Sequence, residues 1–293
     1  MVPLALHARA CHHRRVTTVI SQRGHLRGLV LATHAIPSIA VTAVMTLFAW
    51  NIGWRGSQLA LVLLAILVGQ MSIGWSNDAF DARADARAGR VEKPTVAGTV
   101  SARTLWIAAT VALLVSSGLS WYVAGFVGGS IHVFVIAMGW LYNVALSRTV
   151  WSWLPYALAF GSMPLFLYVG LDGSPGPWWT VAVFATVAVS AHLANALPDV
   201  EKDQSAGMDG LVIRLGVRRS TLLCWLLLAL ATGTLVVVSV ANSPGPWTAV
   251  VLAIGFIAAV VFGSLSRRRS AMFLALLGVA LLDVAALTLT PVL

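Results

Sequence analysis

The sequence predicts an all-α protein: a polytopic membrane helical bundle of nine transmembrane helices. Three observations lead there. First, the 293 residues are 59% apolar and only 10% charged, whereas a soluble domain is about a quarter charged. Second, the apolar residues fall in runs of about 20, the length a helix needs to cross a bilayer, and they lack the alternation of barrel strands. Third, the basic residues are segregated. With the N-terminus in the cytoplasm and nine crossings, every one of the 19 Lys and Arg residues except Arg55 falls on the cytoplasmic side, as the positive-inside rule expects.

Taken in order, the chain opens with a polar, basic tail over residues 1–27. The tail has no apolar core followed by a small-residue cleavage site, so the first span is expected to double as the insertion signal. The spans are expected at 28–50, 57–77, 104–124, 127–147, 151–171, 177–198, 219–241, 245–265 and 270–290. The weakest break is the one at Gly125–Gly129, which makes eight spans the rival count. The outer loops carry turn residues, as in Gly173–Pro177 and Ser243–Pro246. Cys11 and Cys224 have neither disulfide nor metal spacing. The net charge is +9 and the sequence pI about 10.8. In a membrane chain this reads as topology and attraction to anionic lipid, with no nucleic acid as partner.

The end of the second span carries Asn77, Asp81 and Asp85, spaced i, i+4 and i+8. On a helix these share one face. Asn195, Asp199 and Asp203 repeat the spacing 118 residues later, and Gly89 and Gly98 are answered by Gly207 and Gly216 at the same offset. The repeat suggests two similar four-helix units, about 28–150 and 151–265, with a last helix at 270–290.

Asp78, Asp81, Asp85, Asp199, Glu201 and Asp203 make up six of the ten acids. Carboxylates at a membrane boundary are costly, and clustered carboxylates repel one another unless a cation compensates them. Hard oxygen ligands suit Mg²⁺, which usually shares its shell with water and substrate phosphate. Arg87, Arg90, Lys93, Lys202 and Arg214 are interleaved with the acids. Acids and bases together fit a Mg²⁺-bridged diphosphate better than a bare cation site.

The segment from Asn77 to Ser101, with its Asn-Asp-x2-Asp-x3-Asp core, resembles the first aspartate-rich motif of the UbiA superfamily of intramembrane prenyltransferases. Leu197-Pro-Asp-Val-Glu-Lys-Asp203, followed by Gly207 and Leu215-Gly216, resembles the second. The resemblance implies a bundle around a central cavity open sideways to lipid, with two Mg²⁺ ions held between the motifs on an isoprenyl diphosphate. Carried over by position, Asn77, Asp81, Asp85, Asp199 and Asp203 would serve Mg²⁺ and diphosphate, Asp78 would assist, and Asn195 is the repeat partner of Asn77. Tyr142, Asn143 and Arg148 resemble the family's tyrosine-plus-basic segment, where many members place a lysine. That makes Arg148 a candidate diphosphate ligand.

The expected activity is Mg²⁺-dependent transfer of an isoprenyl group to a lipophilic, aromatic acceptor, with pyrophosphate released. A membrane terpene cyclase begins with the same ionisation, and a transporter is the alternative of another class. Asp81 and Asp199 are the acids on which turnover is expected to depend, and Tyr142 and Tyr168 are candidates for the pocket. His192 lies one turn before Asn195 and is a candidate proton acceptor or supporting partner. His34 and His132 read as packing residues, while Asp283, inside the last span, has no assignable partner. The site is expected at the cytoplasmic side of a cell membrane.

Overall fold

The structure is a computed structural model. It describes residues 22–205, 210–242, 247–265, 274–275, 278–279 and 282. The described residues form helices and no strands. Helix α1 spans Gln22–Leu31, α2 Ala35–Ile52, α3 Gly56–Arg87 and α4 Ala102–Leu141. A π-helical turn, Tyr142–Leu146, closes α4. Helices α5 (Trp153–Asp172) and α6 (Trp178–Ala196) follow, and a 3₁₀ turn, Leu197–Asp199, leads into α7 (Val200–Ser205). Helices α8 (Leu211–Asn242) and α9 (Trp247–Leu265) complete the described set. The predicted last span, 270–290, and Asp283 fall almost wholly outside the described residues.

Six of these helices are long and apolar enough to cross a membrane. Two differ instructively from the predicted spans. The expected first span, 28–50, is divided between α1 and α2 at Thr33-His34. Pro37 is the reason: it has no amide proton and is tolerated in the first turn of a helix but not in its interior. Helix α4 covers two predicted spans and doubles back on itself. Gly125 has φ 67° and ψ 179°, a backbone region essentially reserved for glycine. Ser120 Oγ then lies 2.7 Å from His132 Nδ1, whereas twelve residues of straight helix would separate them by about 18 Å. His132 is buried and stacks on Phe166 at 4.6 Å, which matches its reading as a packing residue.

Neighbours in sequence are neighbours in space: α3 packs on α4, α4 on α5, α5 on α6 and α6 on α8. The bulky core is Met45, Phe48, Trp54, Ile66, Met163, Phe166 and Leu167. Lipid is as apolar as leucine, so close packing and interhelical hydrogen bonds must hold the helices together. Ser72 Oγ donates to the Ala109 carbonyl at 2.8 Å and Ser116 Oγ to the Ala65 carbonyl at 2.7 Å, joining α3 to α4. Ser190 Oγ donates to the Cys224 carbonyl and Cys224 Sγ to the Ser190 carbonyl, joining α6 to α8. Glycines let the backbones close in. A Cβ on Gly74 would meet the Thr33 carbonyl oxygen at 2.7 Å, so the α1–α2 corner rests directly on α3.

The 32 residues of α3 reach about 48 Å, well beyond the roughly 30 Å of bilayer hydrocarbon. Its C-terminal turns, which carry the first acidic motif, can therefore project past the apolar layer.

Gly125→Ala places a Cβ in that disfavoured region and should cost about 1–3 kcal/mol. Gly118→Ala meets nothing within 4 Å and should be neutral or stabilising, because alanine suits a helix interior better than glycine. Thermal unfolding of both variants in detergent checks the pair.

Candidate active site

The first acidic motif is helical throughout, so Asn77, Asp81 and Asp85 share one face of α3. Each of the three acids has a cationic partner from another part of the chain. Asp81 Oδ1 accepts from Arg148 Nη2 at 2.8 Å. Asp85 Oδ1 accepts from Arg90 Nη1 at 3.4 Å. Asp78 Oδ1 accepts from Lys93 Nζ at 2.7 Å and from His34 Nε2 at 2.9 Å.

Asp78 differs from the other two. One residue from Asn77, it is rotated about 100° around the helix toward the α1–α2 corner, and it is fully buried. Its partners bind the corner and the loop 88–101 to α3. His34 has φ 52° and is the one non-glycine residue with positive φ among the described residues. Histidine is among the residue types that tolerate this region best. The sequence placed His34 among packing residues; the structure gives it a carboxylate.

The π-turn after α4 faces both ways. Asn143 Nδ2 donates to the Ile73 carbonyl at 2.9 Å and to Ser76 Oγ at 2.8 Å, and Asn143 Oδ1 accepts from Asn77 Nδ2 at 3.1 Å. On the other side, Tyr142 packs edge-on against Tyr156 and His192, with ring centroids 5.1 Å and 5.7 Å away. Tyr156 lies 4.5 Å from His192 and stacks on Phe160 at 6.3 Å. His192 is buried, and its Nε2 lies 2.9 Å from Ser152 Oγ.

Of the predicted residues, Asn77, Asp78, Asp81, Asp85, Arg90, Lys93 and Arg148 are thus brought together around the end of α3. Tyr142 and His192 meet in the aromatic group. Arg87 does not join: it is exposed, and its Nε turns back to the Arg83 carbonyl. In the second motif, Asn195 is exposed near the end of α6. Asp199 ends the 3₁₀ turn, and Lys202 and Asp203 lie on α7, but the side chains of these three are outside the described residues. Tyr156, Phe160 and Ser152 were missed by sequence reasoning, and Asn143 was named there only as part of the tyrosine-plus-basic segment, without a role of its own. A polar residue inside a span was the available signal for Asn143; nothing in an apolar run singles out Tyr156 or Phe160.

Among the described residues, no three His, Cys, Asp or Glu side chains gather into a metal cluster. The first motif nonetheless suits a hard cation. Its donors are carboxylate and amide oxygens, and Asp85 Oδ2 is buried without a hydrogen-bond partner. A buried carboxylate oxygen left unpaired is costly unless a cation or water meets it.

Residues 36–282 match the UbiA prenyltransferase family. The chain belongs to that family. Among solved structures, it superimposes on a UbiA homologue from Aeropyrum pernix K1 in its apo form with a TM-score of 0.69 at 17% identity, covering 84% of this chain and 96% of that one. It superimposes on a UbiA homologue from Archaeoglobus fulgidus, bound to GPP and Mg²⁺, with a TM-score of 0.67 at 16% identity, covering 89% and 98%. In sequence it is 27% identical over 224 residues to naringenin 8-dimethylallyltransferase 2, chloroplastic, of Sophora flavescens. That match covers 71% of this chain and 53% of the relative, so this UbiA chain spans about half the relative's length.

Lys93→Met leaves a buried carboxylate short of one charged donor and should cost about 1.5–3 kcal/mol. Lys93→Met combined with Asp78→Asn should lose less, since no charge is then stranded. Chemical unfolding of the two variants in detergent checks the order.

Proposed function

We propose that this UbiA-family chain is a Mg²⁺-dependent intramembrane prenyltransferase. It moves an isoprenyl group from an isoprenyl diphosphate to a lipophilic, aromatic acceptor and releases pyrophosphate. One observation carries the reading: on a single helix face, Asp81 and Asp85 each hold a guanidinium, from Arg148 and Arg90. Such a set can receive a metal and a diphosphate by exchanging partners. The carboxylates would then hold the metal, and the guanidiniums would hold phosphate oxygens, which they match in bidentate geometry. Two carboxylates and two guanidiniums leave the set neutral before the exchange.

Asn77, Asp81 and Asp85 would hold one Mg²⁺, with Asp199 and Asp203 supplying ligands from the second motif. When bound, Mg²⁺ stabilises negative charge on the diphosphate as the allylic C–O bond breaks. Arg90, Arg148 and Lys202 bind the diphosphate, with Asn195 beside them, while Lys93 holds Asp78. The rings of Tyr142, Tyr156 and Phe160 offer π-faces to a delocalised cation and keep water from it. His192 is the buried imidazole of that group. The A. fulgidus homologue bound to GPP and Mg²⁺ supports the donor and the metal. The Sophora relative's name supports an aromatic acceptor over cyclisation. The segregation of Lys and Arg supports a cytoplasmic N-terminus and a site opening on that side of a cell membrane.

The test is pyrophosphate release by the purified chain in lipid. It uses geranyl, farnesyl and geranylgeranyl diphosphates, Mg²⁺ or EDTA, and a panel of phenolic acceptors. Release should need both Mg²⁺ and an acceptor. Asp81→Ala and Asp199→Ala should each lower turnover at least about a hundredfold, the scale of losing one stabilising group from a charge-developing site. Arg148→Ala should chiefly raise KM for the diphosphate. Full turnover in a folded Asp81→Ala/Asp199→Ala variant sinks the mechanism, and release without an acceptor favours a cyclase.

A further inference from the structure

The hydrogen bonds around Asn143 can be read in only one sense, and they orient a residue of the metal-binding face. The Ile73 carbonyl is an acceptor only, so the Asn143 atom 2.9 Å from it is Nδ2. The same nitrogen meets Ser76 Oγ at 2.8 Å. Oδ1 of Asn143 is thereby left facing Asn77, and two carbonyls do not pair, so Asn77 presents Nδ2 to it, at 3.1 Å. The amide of Asn77 is thus set by a backbone carbonyl two bonds away in the network. Its oxygen is the arm left for a cation, on the face it shares with Asp81 and Asp85.

Asn143 is 3% exposed, so an unmet amide there would be costly, and the network has a strong reason to persist. The local backbone serves the same end. Asn143 lies in the π-helical turn Tyr142–Leu146, a geometry rare in proteins and frequent at functional sites. Neighbouring residues of this turn point to different sides, so Tyr142 meets the aromatic group while Asn143 meets α3.

We propose that Asn143 is a positioning residue: it holds Asn77 with its carbonyl oxygen outward, as a ready ligand for the divalent cation. The inference rests on the metal reading above and assigns the device that prepares one ligand. Partners that orient metal ligands typically carry ten- to a hundredfold in metal affinity.

The test measures metal binding rather than turnover. Mn²⁺ is titrated into the full chain in lipid nanodiscs, with geranyl S-thiolodiphosphate as a non-reacting diphosphate, and free Mn²⁺ is read by EPR. Asn143→Ala should weaken Mn²⁺ binding about tenfold. In an Asn77→Ala background the same substitution should change nothing further, because Asn143 acts only through Asn77. A residue that merely tied α4 to α3 would not give that pattern. Asn143→Leu keeps the branched shape of the side chain but has no oxygen to accept from Asn77, so it should show the same loss if the alanine variant does not fold. Binding within twofold of the unaltered chain in either variant overturns the proposal, as does an undiminished effect in the Asn77→Ala background. Mn²⁺ binding by the unaltered chain with no effect of Asn143 removes this inference alone. No Mn²⁺ binding by the unaltered chain overturns the metal reading and this inference with it.

Discussion

Carboxylates at the edge of a bilayer must be compensated, and this requirement organises one end of the molecule. An uncompensated acid drawn to the bilayer centre costs roughly 2.5–3.5 kcal/mol. Helix α3 carries three acids within two turns. Their partners come from three separate segments: the α1–α2 corner supplies His34, the loop after α3 supplies Arg90 and Lys93, and the turn that follows the π-helical segment supplies Arg148. Charge matching therefore fastens three pieces of chain to one helix end. The same pairing balances the acids, which is the starting state that the proposed exchange with a metal and a diphosphate requires.

Charge matching needs the partner helices at the right height, and packing supplies that. Gly69, Gly74 and Gly139 bring α3 close to α4 and to the α1–α2 corner, and buried serines fasten the contact with hydrogen bonds to opposing backbone carbonyls. With that register, Asn143 sits opposite Asn77, and Arg148 sits opposite Asp81. The step is four residues on α3 and five on the facing segment. A π-turn contains one more residue than an α-turn, which suits the uneven step. Tyr142, which brings the rings of Tyr156 and His192 together, belongs to the same turn, so the charged end and the aromatic group share one support.

Much of this was legible in the sequence because it depends on local rules. Apolar runs of spanning length specify helices in a membrane, and α5, α6 and α9 lie close to their expected positions. The spacing of Asn77, Asp81 and Asp85 places them on one face of any helix. Gly125 marks a break because few other residues can hold its backbone angles. The helix interrupted at His34 was harder to see, since an apolar run reads through the proline that divides it.

Side-chain partners are decided otherwise. Asp78 and Asp81 look alike in sequence, yet one is buried against Lys93 and His34 while the other meets Arg148 at the rim. Arg87 and Arg90 are one turn apart, and only Arg90 reaches an acid. These outcomes follow from how each helix is rotated and how far it is shifted along its neighbour. Both are set by contacts between residues far apart in the chain, such as Asn77 with Asn143. By itself, then, the sequence determined the helices, the acidic face and the family to which they point. The tertiary structure decided which base meets which acid and which amide meets which amide, because close packing between helices, and no local preference, sets those distances.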